Sequence, residues 1–280
     1  MALSAATRER MRAWLARAMM VLTLAFISFV TLGGISHNEH WRINTIQIAG
    51  ESVTPEADIR SIVEKELLGN YFFVFARNNS LLFPKNSIVS SIVTQFPRIQ
   101  SVQVSYVDAH TIQVVVSERK PYALWCGNEI QATSTQAAPC WFIDSNDLVF
   151  DQAPIYSDGV YVEMYGQLNP ESINSPIGES LPLAPFDNVK DLIQGMQKEI
   201  GTPLRILFKK NGEYEVTMYS SDLYPMLSGV VIRMSADMVP RDVVTNLSAA
   251  IQEEFPAGTT NHRKLQYIDM RFGSKIFFGF

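Results

Sequence analysis

Ser101-Val102-Gln103-Val104-Ser105-Tyr106 alternates small polar with apolar side chains, and beyond a turn near Asp108-Ala109-His110 the run Ile112-Gln113-Val114-Val115-Val116 repeats the pattern. Side chains of a strand point alternately to opposite faces, so both runs predict strands with one buried and one wet face. Upstream, Ile43-Asn44-Thr45-Ile46-Gln47-Ile48 alternates in the same way and ends at Gly50. Two helices are expected between these strands. The first has Thr54 as cap, Pro55 at the first helical position, an apolar stripe of Ile59, Ile62, Val63 and Leu67, and Gly69 as its stop. The second opens at Pro84, carries Ile88, Val89, Ile92, Val93 and Phe96 on one face, and stops at Pro97. Residues 70–83 read as an aromatic-rich connection. Two helices on one face of a three-stranded sheet account for strands that alternate instead of running continuously apolar. The reading is a small β-α-α-β-β domain over residues 42–120. A core of that size is marginal by itself, so it is expected to lean on the C-terminal half of the chain.

In front of this domain lies a different kind of segment. Ala18 to Asn38 is 21 residues without Lys, Arg, Asp or Glu, long enough to cross a hydrocarbon core of about 30 Å as a helix. Arg8, Arg10, Arg12 and Arg17 precede it against the single acid Glu9, which by the positive-inside rule predicts a cytoplasmic tail (1–17), a membrane helix (18–38) and an exported body. Trp14 and Trp41 stand at its two ends as interfacial anchors. The rival is a cleaved signal peptide, whose apolar region usually runs about 7 to 15 residues before a small-x-small site. Leu32-Gly33-Gly34-Ile35-Ser36 fits such a site poorly, and no cysteine comes after it for a lipid anchor.

Composition excludes several classes. Apolar residues are 47% and charged ones 18% of 280, which rules out a disordered chain and leaves material for about two domains. Two cysteines are too few for a disulfide-dense scaffold or a four-thiolate zinc site. The net charge of -5 divides into +3 on residues 1–17 and -8 on the rest, where 19 basic residues face 27 acidic ones. A body of that sign repels phosphate backbones, and no basic run in it is longer than Lys209-Lys210, so nucleic acid is not an expected partner.

Residues 121–280 read as a mainly antiparallel β-domain with two inserted helices. Strands are expected at Trp141 to Ile143, Leu148 to Phe150, Val160 to Tyr165, Arg205 to Lys209, Tyr214 to Tyr219, Val230 to Met234, Leu265 to Arg271 and Ile276 to Phe278. Asn211-Gly212 between two of them is the strongest hairpin signal in the chain. Helices are expected from Asn188 to Ile200, capped by Asp187 and stopped by Gly201, and from Pro240 to Phe255. Residues 166–185 read as a loop, and no repeat is visible. Cys126 and Cys140 enclose a polar linker flanked by Trp125 and Trp141. In an oxidising compartment these thiols are expected to pair, closing a loop worth about 3 kcal/mol by the chain-entropy model; reduced, buried cysteines are the alternative.

Three stretches resemble the FtsQ/DivIB family of cell-division proteins. Phe96-Pro97-Arg98-Ile99-Gln100-Ser101-Val102-Gln103-Val104 with Thr111-Ile112-Gln113-Val114-Val115-Val116-Ser117-Glu118-Arg119-Lys120-Pro121-Tyr122-Ala123 is similar to the end of that family's POTRA domain, the Glu-Arg-x-Pro ending most specifically. Phe142-Ile143-Asp144-Ser145-Asn146-Asp147-Leu148-Val149-Phe150 resembles the opening of its β-domain, and Tyr267-Ile268-Asp269-Met270-Arg271-Phe272 its last paired strands. Gly127 to Pro139 is longer than the family pattern leads one to expect. The resemblance implies a non-enzymatic scaffold of the division septum in the inner membrane, without cofactors, recruiting partners through its POTRA domain. Its β-domain would bind FtsB and FtsL. The family's contacting strand matches Phe272, Ser274 and Phe280, with Arg271 just before them. Ile276, Phe277, Phe278 and Phe280 crowd four large apolar side chains into five positions, either as an open edge that accepts another strand or as a cap on the core. Arg271, Phe272, Ser274, Ile276, Phe278 and Phe280 are therefore the candidate partner-binding residues.

Other chemistry is weakly signalled. His37 and His40 lie three apart around Glu39, a spacing compatible with a metal but better read as a solvated juxtamembrane turn. Ser117 and Lys120 spell Ser-x-x-Lys, but at a strand end, where positions three apart face opposite ways. No Gly-x-Ser-x-Gly, phosphate loop or Cys-x-x-Cys is present. A POTRA protein of outer-membrane assembly is the competing class, and it would continue into a membrane barrel with aromatic girdles. A peptidoglycan hydrolase would need paired acids or a metal cluster.

Overall fold

The computed structural model describes residues 5–130, 139–168, 175–181, 186–256, 264–273 and 275–280. They form two compact units, Met1–Glu118 and Arg119–Phe280, in a mixed α+β fold.

The first unit begins with α1 (Ala5–Ser36), of which Arg10–Ser36 is long and apolar enough to cross a membrane. At 1.5 Å per residue those 27 residues extend about 40 Å. Most of this stretch is exposed; Gly33 and Ser36 near its end are buried. Asn38 then stops the chain in a short 3-10 turn, its side-chain oxygen accepting the His40 N–H at 2.9 Å.

Beyond it come β1 (Thr45–Ala49), α2 (Glu56–Leu67), a short hairpin of β2 (Asn70–Tyr71) and β3 (Phe75–Ala76), α3 (Lys85–Gln95), β4 (Ile99–Asp108) and β5 (Thr111–Glu118). The sheet runs β1-β5-β4, with β1 parallel and β4 antiparallel to the central β5. Ile59, Ile62 and Val63 of α2 and Ile88 and Ile92 of α3 are buried in one core with Ile46, Val104, Ile112, Val114 and Val116 of the sheet. The alternation in β5 thus results from helices covering one of its faces.

The start of α2 differs from the sequence expectation. Its cap position is Pro55, which has no side-chain capping bond, and the Thr54 side chain bonds to Glu118. The acceptor comes from the far end of the sheet: the Glu118 carboxylate takes the backbone N–H groups of Ser52, Val53 and Thr54 at 3.2, 3.1 and 2.8 Å. A carboxylate can bind several donors at once, which one hydroxyl cannot.

The second unit contains β6 (Ala123–Trp125), β7 (Trp141–Ile143), β8 (Val149–Gln152), β9 (Glu163–Tyr165), α4 (Phe186–Glu199), β10 (Thr202–Phe208), β11 (Glu213–Ser220), β12 (Val231–Ser235), α5 (Pro240–Glu254), β13 (Tyr267–Phe272) and β14 (Lys275–Gly279). They form one sheet in the order β14-β13-β12-β11-β10-β9-β6-β7-β8. It is mostly antiparallel, but β6 and β9, β9 and β10, and β12 and β13 pair in parallel. Parallel neighbours need a long crossover. Two of these pairs have one in a helix: α4 lies between β9 and β10, and α5 between β12 and β13.

The second unit holds a structural repeat that the sequence does not display. β9-α4-β10-β11 and β12-α5-β13-β14 are successive β-α-β-β units with the same pairing sense. Val189, Leu192, Ile193 and Met196 of α4 share one core with Val243, Val244, Leu247 and Ile251 of α5 and with Ile206, Val216, Ile232, Ile268 and Met270 of the strands. The two helices come close at Gly195, where a Cβ would meet a Val244 methyl at 2.9 Å.

Cys126 and Cys140 are disulfide-bonded, immediately after β6 and before β7. Trp125 pairs with Trp141 across the ladder, their ring centroids 5.5 Å apart. Asp144 closes the β7–β8 turn by accepting the N–H groups of Asn146 and Leu148, and its other oxygen takes Arg119 Nη1 at 2.6 Å.

Candidate partner-binding edge

β14 ends the nine-stranded sheet: it pairs with β13, and no described strand lies beyond it. The ladder sets Tyr267 opposite Gly279, Ile268 opposite Phe278 and Asp269 opposite Phe277, then shifts register so that Phe272 faces Lys275. This register sorts the side chains of the edge. Ile276 and Phe278 turn inward and pack on the helix-covered core, where the Phe278 ring meets Phe255 edge-on at 5.8 Å. Phe280 leans on the same Phe255 at 6.3 Å and stays 39% exposed.

The other face of the edge is apolar and open. Phe272 is 58% and Phe277 49% exposed, and their rings form a T-shaped pair at 5.5 Å. An exposed aromatic pair on an edge strand is the arrangement that soluble sheets normally suppress with charge or cover. At the opposite end of the sheet, β8 is covered in part: Val149 N–H donates to the Glu179 carbonyl, and Gly178 N–H to the Val149 carbonyl.

Charge on the exposed face is organised in rows. Glu215, Arg233, Asp269 and Phe277 are successive cross-strand neighbours from β11 to β14. Lys209 and Arg233 approach Glu215 at 2.7 and 3.3 Å. Arg271 is committed within the sheet, holding Asp269 at 2.6 Å and Glu213 at 2.9 Å. Bonding to Arg271 holds Asp269 below the usual carboxylate range, and Asp269 and Glu213 together raise the guanidinium of Arg271. Its charge is therefore largely neutralised at home, while its guanidinium still flanks the Phe272 ring at 5.8 Å.

Of the candidate residues, Phe272 and Phe280 present apolar surface, Arg271 supports the rim, and Ile276 and Phe278 anchor the strand from below. Ser274 lies outside the described residues. Phe277 is absent from the sequence-derived candidates, although strand alternation from Ile276 and Phe278 marks it as the residue facing the other way.

Elsewhere in this unit a cleft of about 570 Å³ is lined by the Cys126–Cys140 bridge, Tyr156, Tyr161, Tyr165 and Arg205. Burial and the adjacent Glu163 push the Tyr165 hydroxyl up to about 12, and that hydroxyl donates to Glu163, which also takes Arg205 Nε at 2.8 Å. Among the described residues no group of three or more His, Cys, Asp or Glu side chains converges to hold a metal. Compared with models of protein families and with curated proteins, the sequence matches none.

Proposed function

We propose that the chain is a non-enzymatic, single-pass membrane scaffold of the bacterial division machinery, of the FtsQ/DivIB kind, which captures FtsB and FtsL by accepting a strand along β14. In this reading α1 crosses the inner membrane with its arginine-rich start in the cytoplasm, and the chain from residue 42 onward stands on the outer side. Residues 42–120 are a POTRA domain that recruits further division proteins; the order β1-α2-α3-β4-β5, with the β2–β3 hairpin inserted between the helices, and the β1-β5-β4 sheet support that assignment. The observation that carries the reading is the position of β14 at the sheet end with Phe272 and Phe277 exposed beside it.

The repeat in the second unit supplies an orientation. β11 and β14 are the last strands of equivalent β-α-β-β units, and β11 receives β12 antiparallel on its outer side. An incoming strand would do for β14 what β12 does for β11, pairing antiparallel through main-chain hydrogen bonds and laying its outward side chains over Phe277.

The test is imaging of a fluorescent fusion of the full chain together with co-purification of FtsB and FtsL from detergent. Enrichment at mid-cell and capture that Phe272→Lys abolishes are expected. Uniform envelope fluorescence with no co-purification would sink the proposal.

A further inference from the structure

The β2–β3 hairpin carries a surface that the capture of a strand by β14 does not use. Leu68 to Pro84 contains one charged residue, Arg77, and the hairpin turn is Phe72-Phe73. Both phenylalanines have positive φ, 48° and 63°, a region costly for aromatic residues and usually given to Asn or Gly in such turns. Both also point away from the protein, Phe72 79% and Phe73 98% exposed. Two side chains unfavourable to the turn and unfavourable in water occupy its tip.

The surroundings of the hairpin explain the choice. Its open end is level with the end of α1: Ala76 N–H donates to Ser36 Oγ at 3.1 Å, and Asn70 Oδ1 lies 3.3 Å from His37 Nε2. Towards the turn the hairpin descends along the helix. Val74 sits against Gly33, where any Cβ would overlap its methyl, and the Phe75 ring packs edge-on to Phe29 at 5.0 Å. From Ser36, the partner of Ala76, back to Gly33, the partner of Val74 beside the turn, is three residues, about 4.5 Å down the helix axis. The turn therefore points along α1 towards its apolar middle, a stretch in which Phe29, Val30 and Leu32 are exposed.

We infer that the β2–β3 hairpin dips into the membrane, with Phe72 and Phe73 at the boundary between acyl chains and headgroups of the leaflet where α1 ends. Lipid is the occupant because the hairpin packs on the helix's own apolar surface at Phe29 and Gly33: whatever surrounds that stretch of the helix surrounds the tip as well. The inference rests on α1 spanning the bilayer. With the helix, the hairpin gives the first unit two points of attachment, which fixes its rotation about α1.

The native cysteines are bridged, so one introduced thiol can carry a fluorophore on the full chain. Phe73→Cys and, as a reference within the helix, Phe26→Cys would be labelled and reconstituted in phosphatidylethanolamine and phosphatidylglycerol vesicles. Quenching by lipids spin-labelled near the headgroup and near the chain end then reads depth. Expected is loss of fluorescence at both sites, with the shallow label stronger than the deep one at position 73. Quenching at 26 with none at 73 would overturn the hairpin inference and leave the spanning helix intact. No quenching at either would remove the spanning helix, and the inference with it.

Discussion

Phe277 of β14 sits directly opposite Asp269 of β13, so the cross-strand row Glu215, Arg233, Asp269 ends in an exposed phenyl ring where the next charge would be expected to fall. Charges of alternating sign pair across this face as far as Asp269, which is buried against Arg271, and at the last strand the pattern breaks.

Substitutions on the two faces of β14 should separate binding from folding. Phe277→Lys places an ammonium across from Asp269 and should leave stability within about 0.5 kcal/mol while capture of FtsB is lost. Phe278→Ala removes a ring packed on Phe255 and the core, and should cost about 2 to 3 kcal/mol in thermal melts of the full chain in detergent. Equal loss of capture in two equally stable variants would contradict this division of labour.

Asp147 should make the second unit sensitive to pH. Burial, with a smaller contribution from Asp144, pushes its carboxyl up to about 7. An unfolded chain releases that proton near pH 4, so from about pH 4 to 7 the folded state holds a proton that the unfolded state has lost, and stability falls as pH rises through that window. Asp147→Asn keeps a residue tolerant of φ 65° and an oxygen for the Leu181 N–H. It should raise stability at pH 8 by about 1 to 2 kcal/mol and change little at pH 4, as melts at the two values would read.

Glu118 should act in the opposite direction. Partial burial would raise its carboxyl, but the amides of Thr54, Ser52 and Val53 outweigh it and leave the pKa lowered. The stability it supplies is then complete above the ordinary carboxylate range and is lost as pH falls through the lowered value. Because the group is largely solvated, Glu118→Gln should cost no more than about 1 kcal/mol at neutral pH, and the gap to the parent should close in acid.

The Cys126–Cys140 bridge joins positions 14 apart. Replacing both by alanine should lower stability by about 3 kcal/mol on the chain-entropy model. Mass spectrometry after alkylation without reductant should find no free thiol in protein purified from the envelope. Two alkylated cysteines would overturn the bridge.

What the sequence made legible were the features written in local spacing. The alternation of Ile112, Val114 and Val116, the apolar stripes of α2 and α3 and the Asn211-Gly212 turn each need a window of a few residues. The service of Glu118 to the loop before α2 is hidden because its partners lie 64 to 66 residues away and Thr54 looks like a sufficient cap. β6 escapes notice because Ala123–Trp125 is short and follows directly on the Arg119-Lys120-Pro121 stretch, with no turn signal of its own to set it off. The duplicated β-α-β-β unit is invisible because α4 and α5 share an apolar face without sharing residues. On β14 the alternation itself is readable, but which face meets the core depends on Phe255, 23 residues upstream of Phe278. The Phe72-Phe73 turn gives no signal because aromatic residues are the wrong turn formers.

Ile276 and Phe278, fastened from beneath, make β14 a stiff ruler instead of a loose ribbon. A guest segment laid along it would then meet a host that has little freedom left to surrender, and the whole loss of motion would fall on the newcomer. Residence time on this rim should accordingly track how straight the guest already is, so that a β-favouring or cyclised peptide outlasts a floppy one of identical contacts.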